Sequence, residues 1–247
     1  MSRPPRKELT LAQLLPNMLT VAAICAGITA IRMGVQGDYV RAVQLLLIAG
    51  VLDGLDGRLA RLLRSTSAMG AELDSLADFV NFGVAAPLVI YLWGLQDMRH
   101  AGWIAVLFFA VCCVMRLARF NVSSREEGAK GGSGAYFQGL PSPAGALLAM
   151  LPMFFTFAIP GMSPPPAPLV ALYMAGVGLL MISPVPVWSF KRTRISRENV
   201  KFFLLAFACV AAALTLFTWA ALIMICLAYV AVVIWAAVFW YPKDRSS

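Results

Sequence analysis

The sequence predicts an all-α integral membrane protein, a bundle of about eight transmembrane helices with both termini cytoplasmic. Three observations predict it. Hydrophobic side chains make up 60% of the 247 residues and charged ones only 13%, against about 25% charged in a soluble domain, and mean hydropathy is +0.79. Apolar runs of about 20 residues, the length that crosses ~30 Å of hydrocarbon as a helix, follow one another with short polar breaks between them. Basic residues gather in alternate breaks. If the spans alternate from a cytoplasmic N-terminus, all 20 Lys and Arg except Arg32, Arg41 and Arg99 face inward, the asymmetry of the positive-inside rule. The chain therefore reads as a single membrane domain, 1–247, with almost no sequence left for a soluble one.

Residues 1–12 carry Arg3, Arg6 and Lys7 and are expected at the cytoplasmic surface, with Glu8 to Leu15 lying along the interface as an amphipathic helix. This basic start imitates a secretory signal peptide, but the run behind it is long and lacks a small-residue cleavage site, so it is read as a retained first span. Spans one to four fall near 13–33, 39–63, 73–96 and 101–120. A cytoplasmic loop, 121–142, follows. Gly, Ser and charge over 121–140 predict a mobile loop, an ordinary linker over 123–135, that ends at the sharp Pro141-Ser142-Pro143 turn. Spans five to eight, near 143–160, 167–187, 202–219 and 221–241, complete the domain before a tail at 242–247. Five prolines between Pro160 and Pro168 make a rigid outer connection. The run Lys191, Arg192, Arg194, Arg197, Lys201 is placed to rest on anionic headgroups, so the net charge of +8 calls for a bilayer and not for nucleic acid. Cys25, Cys112, Cys113, Cys209 and Cys226 all lie in apolar spans without metal-ligand spacing and read as packing residues. No internal repeat points to an inverted-repeat transporter.

One segment does not fit an inert bundle. Five of the twelve acidic residues lie between Asp53 and Asp78, in an otherwise apolar helical stretch. On a helix, Asp53, Asp56, Gly57 and Ala60 fall along one side, and Gly70, Asp74 and Asp78 do the same at steps of four. Two helices joined by a short inner turn would present their carboxylates to each other. Carboxylates converging at membrane depth need positive charge between them. A divalent cation is the natural candidate, and hard oxygen donors with no His or Cys nearby favour Mg²⁺, Mn²⁺ or Ca²⁺ over zinc. Gly57, Ala60 and Gly70 serve either as clearance for a ligand against backbone or as close helix packing.

The pattern Asp53-x2-Asp56-Gly57-x2-Ala60-Arg61-x8-Gly70-x3-Asp74-x3-Asp78 resembles the signature of the CDP-alcohol phosphatidyltransferase family, with every fixed position present. The resemblance implies that Asp53, Asp56, Asp74 and Asp78 hold one or two Mg²⁺ or Mn²⁺ ions, that Asp78 is also the catalytic base, and that Gly57, Ala60, Arg61 and Gly70 contact the CDP moiety. Pro16-Asn17-Met18-Leu19-Thr20 resembles a further element of the family, which adds Asn17 and Thr20 to the CDP-lipid contacts. The implied reaction is attack of an alcohol hydroxyl on the β-phosphorus of CDP-diacylglycerol, with release of CMP. A homodimer is implied in the same way, while the orientation from the basic residues puts the inner turn, and so the site, on the cytoplasmic side.

Two segments outside the signature bear on the alcohol. Arg116-Leu-Ala-Arg119-Phe120-Asn121 and Phe137-Gln-Gly139-Leu140-Pro141-Ser142-Pro143 are similar to elements of the serine-using branch of the family, which implies L-serine as acceptor. Arg119 or Arg116 would pair with its carboxylate, and Asn121, backbone carbonyls near the Pro turn or an acidic group would take its ammonium; otherwise these arginines are positive-inside residues that hold the helix in place. Choline, inositol and glycerol 3-phosphate are the alternative acceptors. A serine hydrolase is excluded because no His partners Ser142: the only histidine, His100, falls on the opposite side. A divalent-cation transporter would need the carboxylates but not the Gly-x2-Ala-Arg spacing. A bacterial inner membrane is the expected location.

Overall fold

The structure is a computed structural model that describes residues 11–63, 65, 67–130, 137–183, 186–187 and 200–240. The expected interfacial stretch before Leu11, the basic run from Lys191 to Arg197 and the tail from 242 lie outside these residues. Apart from one two-residue strand pairing, every described element is helical, and two compact units divide the chain, Met1–Trp93 and Gly94–Ser247.

In the first unit, α1 (Leu11–Val35) runs alongside α2 (Tyr39–Leu62). Their seam is made of small residues, with Ala23 and Ala30 on α1 and Ala42 and Ala49 on α2 all fully buried. Small side chains let the two backbones approach closely, the packing that helices in lipid rely on. Gly37, at φ +80°, reverses the chain between them, and Asp38 caps α2 by accepting from the Arg41 N–H at 3.1 Å.

After α2, the chain turns in a few residues. Ser67 then accepts from the Gly70 N–H at 3.0 Å, the N-cap that starts α3 (Ala68–Asp78). A π-helical segment, Phe79–Ala85, and α4 (Ala86–Gly94) continue it. The sequence predicts a plain span here; the widened turns have a local cause in Pro87. Proline has no N–H and its ring crowds the carbonyl four residues back. The helix stays continuous by opening to an i→i−5 bond, Ala86 N–H to Asn81 O.

In the second unit, a 3₁₀ turn (Gln96–Met98) leads into α5 (Arg99–Lys130). Val106, Phe109, Cys113 and Leu117 make its buried stripe, which packs on Val170, Met174, Val177 and Met181 of α8 (Ala167–Ile182), each a set at i, i+3/i+4 spacing. Gly178 of α8 sits against Cys112 and Phe108. The predicted fifth span is two short helices, α6 (Ser142–Ala149) and α7 (Leu151–Ala158), broken at Met150 just ahead of Pro152. Phe154 of α7 stacks on Trp219 of α10 (Thr218–Trp240) and Phe157 meets the same ring edge-on, and α9 (Val200–Leu216) precedes α10.

Two expectations need correction. The loop placed at 121–142 begins later than expected: α5 continues through Asn121 to Lys130, because Arg125, Glu126, Glu127 and Ala129 favour helix and the Gly131-Gly132 pair comes only after them. Nor are all the cysteines packing residues, since Cys25 and Cys209 are exposed on helix faces while Cys112, Cys113 and Cys226 are buried.

Four of the described helical stretches are long and apolar enough to cross a membrane: Leu14–Val35, Ala68–Gly94, Gln96–Ser123 and Thr218–Trp235. Helix α2 is as long, but Arg41, Asp53, Asp56, Arg58 and Arg61 lower its hydropathy, and α8 is apolar but shorter.

Past α5, strand β1 (Phe137–Gln138) pairs antiparallel with β2 (Pro186–Val187). Gly139 beside it has φ +86°, and a Cβ there would lie 2.5 Å from the Met181 carbonyl oxygen. Gly139→Ala is expected to cost about 1–3 kcal/mol through strain and overpacking, read as a lower thermal midpoint in detergent; an unchanged midpoint would remove this glycine from the constraints on the fold.

Candidate active site

The site is built in the first unit, where α2 descends and α3 returns. Asp53 and Asp56 lie near the end of α2, and Asp74 and Asp78 on α3. One carboxylate oxygen from each of Asp53, Asp56 and Asp74 lies within 4.8 Å of the others. Asp78 joins them, its carboxylate close enough to Asp53 to act on it electrostatically. The structure thus brings together all four carboxylates that the spacing placed on two facing helix sides.

Burial differs across the cluster: Asp56 is 3% exposed, Asp53 and Asp78 are half-buried and Asp74 is exposed. Asp56 Oδ2 accepts from the Thr20 hydroxyl, whose single proton is shared between that oxygen and the Pro16 carbonyl 3.1 Å away. Asp56 Oδ1 and Asp53 Oδ1 are buried with no hydrogen-bond partner. A cation among them would offset this crowding, since each unsatisfied buried charged oxygen costs more than the ~1–3 kcal/mol of a neutral group. The donors are all hard oxygens, so the set fits a divalent ion of the Mg²⁺, Mn²⁺ or Ca²⁺ kind.

Beside the carboxylates opens a cavity of about 150 Å³ lined by Asn17, Thr20, Asp56, Gly57, Ala60, Gly70 and Asp74, with Pro16, Ser65, Ser67 and Ala71 completing its wall. Of the residues the signature assigns to CDP-lipid, only Arg61 is absent from the wall; it is exposed on the last turn of α2. The two signature glycines differ in kind. A Cβ at Gly57 would meet nothing within 4 Å, whereas one at Gly70 would lie 3.1 Å from both Asn17 Oδ1 and Ser67 Oγ. Open space therefore lies over Gly57, whereas Gly70 permits close approach of α3 to α1. Sequence reasoning missed Ser65 and Ser67. The polar Ser-Thr-Ser run three residues before Gly70 is the available signal for a helix start, but nothing local places Ser65 Oγ, buried and unpartnered, on the cavity wall.

Arg116, Arg119 and Asn121 belong to α5 in the second unit. Arg116 Nη1 donates to Ser142 Oγ, its guanidinium lies 5.6 Å from the Phe120 ring centroid, and Ser142 is 0% exposed. Arg119 Nη1 donates to the Ile182 carbonyl at 3.0 Å, closing the C-terminus of α8. Asn121 is half-buried. Both arginines thus hold the fold of their unit, Arg116 at the Pro141 turn and Arg119 at α8. Arg119 remains exposed, with donors of its five N–H groups to spare.

Comparison with known proteins adds to this geometry. The family model described as CDP-alcohol phosphatidyltransferase matches residues 13–189. A Mycobacterium leprae protein named CDP-diacylglycerol–serine O-phosphatidyltransferase is 36% identical over 230 residues, covering 92% of this chain and 76% of its own length. Proteins of the same name from Helicobacter pylori, 34% identical over 193 residues with 78% of each chain covered, and from Bacillus subtilis, 32% identical over 178 residues with 72% of this chain and 92% of its own covered, are similar too.

Replacing one member of the cluster separates charge crowding from cation binding. Asp53→Asn is expected to raise the thermal midpoint of cation-free protein by removing a like charge. It is also expected to abolish the rise that saturating Mn²⁺ gives the wild type, about 2.7 kcal/mol at 100 times the dissociation constant. A variant that Mn²⁺ stabilises as fully as wild type would show that Asp53 is not a ligand.

Proposed function

The chain belongs to the CDP-alcohol phosphatidyltransferase family, and from that premise we propose that it transfers the phosphatidyl group of CDP-diacylglycerol to L-serine, giving phosphatidylserine and CMP. The observation that carries the reaction class is the convergence of Asp53, Asp56, Asp74 and Asp78 beside a cavity lined by Asn17, Thr20, Gly57, Ala60 and Gly70. The names of the similar proteins support serine as the acceptor.

In the proposed mechanism, the cavity takes the CDP moiety, with Gly57 leaving room for it against the α2 backbone and Thr20 holding Asp56 in place from α1. Arg61, exposed at the end of α2, reaches phosphate or nucleotide from outside the cavity wall. One or two Mg²⁺ or Mn²⁺ ions, held by Asp53, Asp56, Asp74 and Asp78, would offset the diphosphate charge and that of the departing CMP. Asp78 accepts the proton of the serine hydroxyl as the new O–P bond forms at the β-phosphorus and the bond to CMP breaks. A positioned carboxylate contributes about 10²–10⁴-fold in such a step. Arg119 supplies the charge for the serine carboxylate, with Asn121 and Arg116 near it in sequence on α5. The proposal extends to the setting: eight spans with both termini cytoplasmic, a homodimer, and the inner membrane of a bacterium with the site facing the cytoplasm. The inward bias of Lys and Arg supports this orientation.

The deciding assay is CMP release by purified protein in detergent with CDP-diacylglycerol and Mg²⁺ or Mn²⁺, comparing L-serine with inositol, glycerol 3-phosphate and choline. Serine-dependent release is expected, falling by at least about 10²-fold in Asp78→Asn. Release with another alcohol alone would overturn the acceptor, and none with any alcohol would overturn the reaction. Arg119→Gln is expected to raise KM for serine about tenfold or more with a smaller change in kcat, since a charge-assisted hydrogen bond is worth about 1.5–3 kcal/mol. An unchanged KM would confine Arg119 to its bond with the Ile182 carbonyl.

A further inference from the structure

Outside the acid cluster, the polar group of the first unit that packing explains least is Asn81. It is 0% exposed, and neither Nδ2 nor Oδ1 has a hydrogen-bond partner. An amide buried this way costs about 1–3 kcal/mol, a cost that a leucine of similar volume would avoid. The surroundings nevertheless make room for it. Gly27 of α1 lies directly against Asn81, and any Cβ at that position would collide with the carboxamide. The π-helical segment that carries Asn81 starts immediately after Asp78, and widened turns of this kind recur at functional sites.

The depth of Asn81 follows from its neighbours. Asp53 of α2 meets Asp78, and one turn deeper a Cβ on Gly50 of α2 would lie 3.5 Å from the Phe82 ring. Asn81 falls between Asp78 and Phe82 in sequence, on a segment that both α1 and α2 pack against. On α2, Asp53, which meets Asp78, presents Oδ1 buried and likewise without a partner. Asn81 Nδ2 is thus a donor without an acceptor one helical turn past Asp78, and Asp53 Oδ1 an acceptor without a donor.

We infer that Asn81 is a positioning residue for the acid cluster: its carboxamide N–H donates to the carboxylate oxygen of Asp53 that a bound cation leaves free, directly or through one water. The role rests on the cation-binding reading of the aspartates. It explains why a glycine is spent on α1 to admit a polar side chain that makes no bond to α1.

The test uses purified full-length protein in detergent, with Mn²⁺ affinity read by electron paramagnetic resonance and the cation-free thermal midpoint read alongside. Asn81→Leu is expected to weaken Mn²⁺ binding by about 10- to 100-fold, the usual cost of losing a group that orients a ligand. Its cation-free midpoint is expected at or above that of wild type. Asn81→Ser, which keeps a donor, is expected to recover most of the affinity. Wild-type Mn²⁺ affinity in Asn81→Leu overturns the role, as does a lowered midpoint with unchanged affinity, which would make Asn81 a packing residue. Should the leucine variant not fold, Asn81→Ala, which removes the donor and adds no bulk, is read the same way. If wild-type protein binds no Mn²⁺ at all, the cation reading of the aspartates fails and this role fails with it. Weakened binding in Asn81→Leu together with abolished binding in Asp53→Asn supports both.

Discussion

Four carboxylates held together at the ends of apolar helices repel one another, and Asp56 has given up nearly all its water to be there. This electrostatic crowding is the constraint to which the rest of the first unit answers. Thr20 on α1 gives Asp56 one hydrogen bond, yet Asp53 Oδ1 and Asp56 Oδ1 stay unpartnered. A cation stabilises such a group by far more than further hydrogen bonding would, because opposite charge in a medium of low dielectric acts strongly at short range. The local architecture keeps the carboxylates from spreading apart. Ser67 caps α3, and Gly70 lets that helix close on Asn17 of α1. The small-residue seam between α1 and α2 holds Thr20 at the level of Asp56.

The same helices carry the marks of a second compromise. A straight α-helix from Ala68 to Gly94 would be cheaper, but Pro87 forbids an unbroken i→i−4 ladder and the chain relieves it over Phe79–Ala85. The relief falls directly below Asp78, where a change in helical phase alters which side chains face α1 and α2. Backbone irregularity in a membrane-spanning helix is tolerated only where neighbouring elements cover it. Here α1 and α2 do so, with Gly27 supplying the space for Asn81.

In the second unit, the segments that carry the resemblance to serine-using enzymes also have a structural job. Ser142, whose proline-flanked setting marks a turn, is fully buried and takes a hydrogen bond from Arg116. Arg119 closes the end of α8, close to where Gly139 lies against the carbonyl of Met181. Arginine suits both uses because one planar group with several donors can hold a carbonyl and still offer N–H groups to an anion.

The sequence by itself determined the helical, membrane class of the chain, the approximate position of each helix and the presence of two carboxylate pairs on facing helix sides. These properties follow from composition and from periodicity within one helix, which a linear reading contains in full. The tertiary structure decided what depends on which faces of distant segments meet. It separated Gly57, which leaves open space, from Gly70, which is pressed between Asn17 and Ser67. It put Ser65 on the cavity wall and left Arg61 off it. It also turned Asn81, in the sequence only one polar residue in an apolar run, into a fully buried amide against Gly27 of α1. The physical reason is that spacing along a helix fixes direction relative to that helix alone. The partner of a side chain is set by how helices cross and by shifts of phase such as the one ahead of Pro87, and both are summed over contacts far apart in the chain.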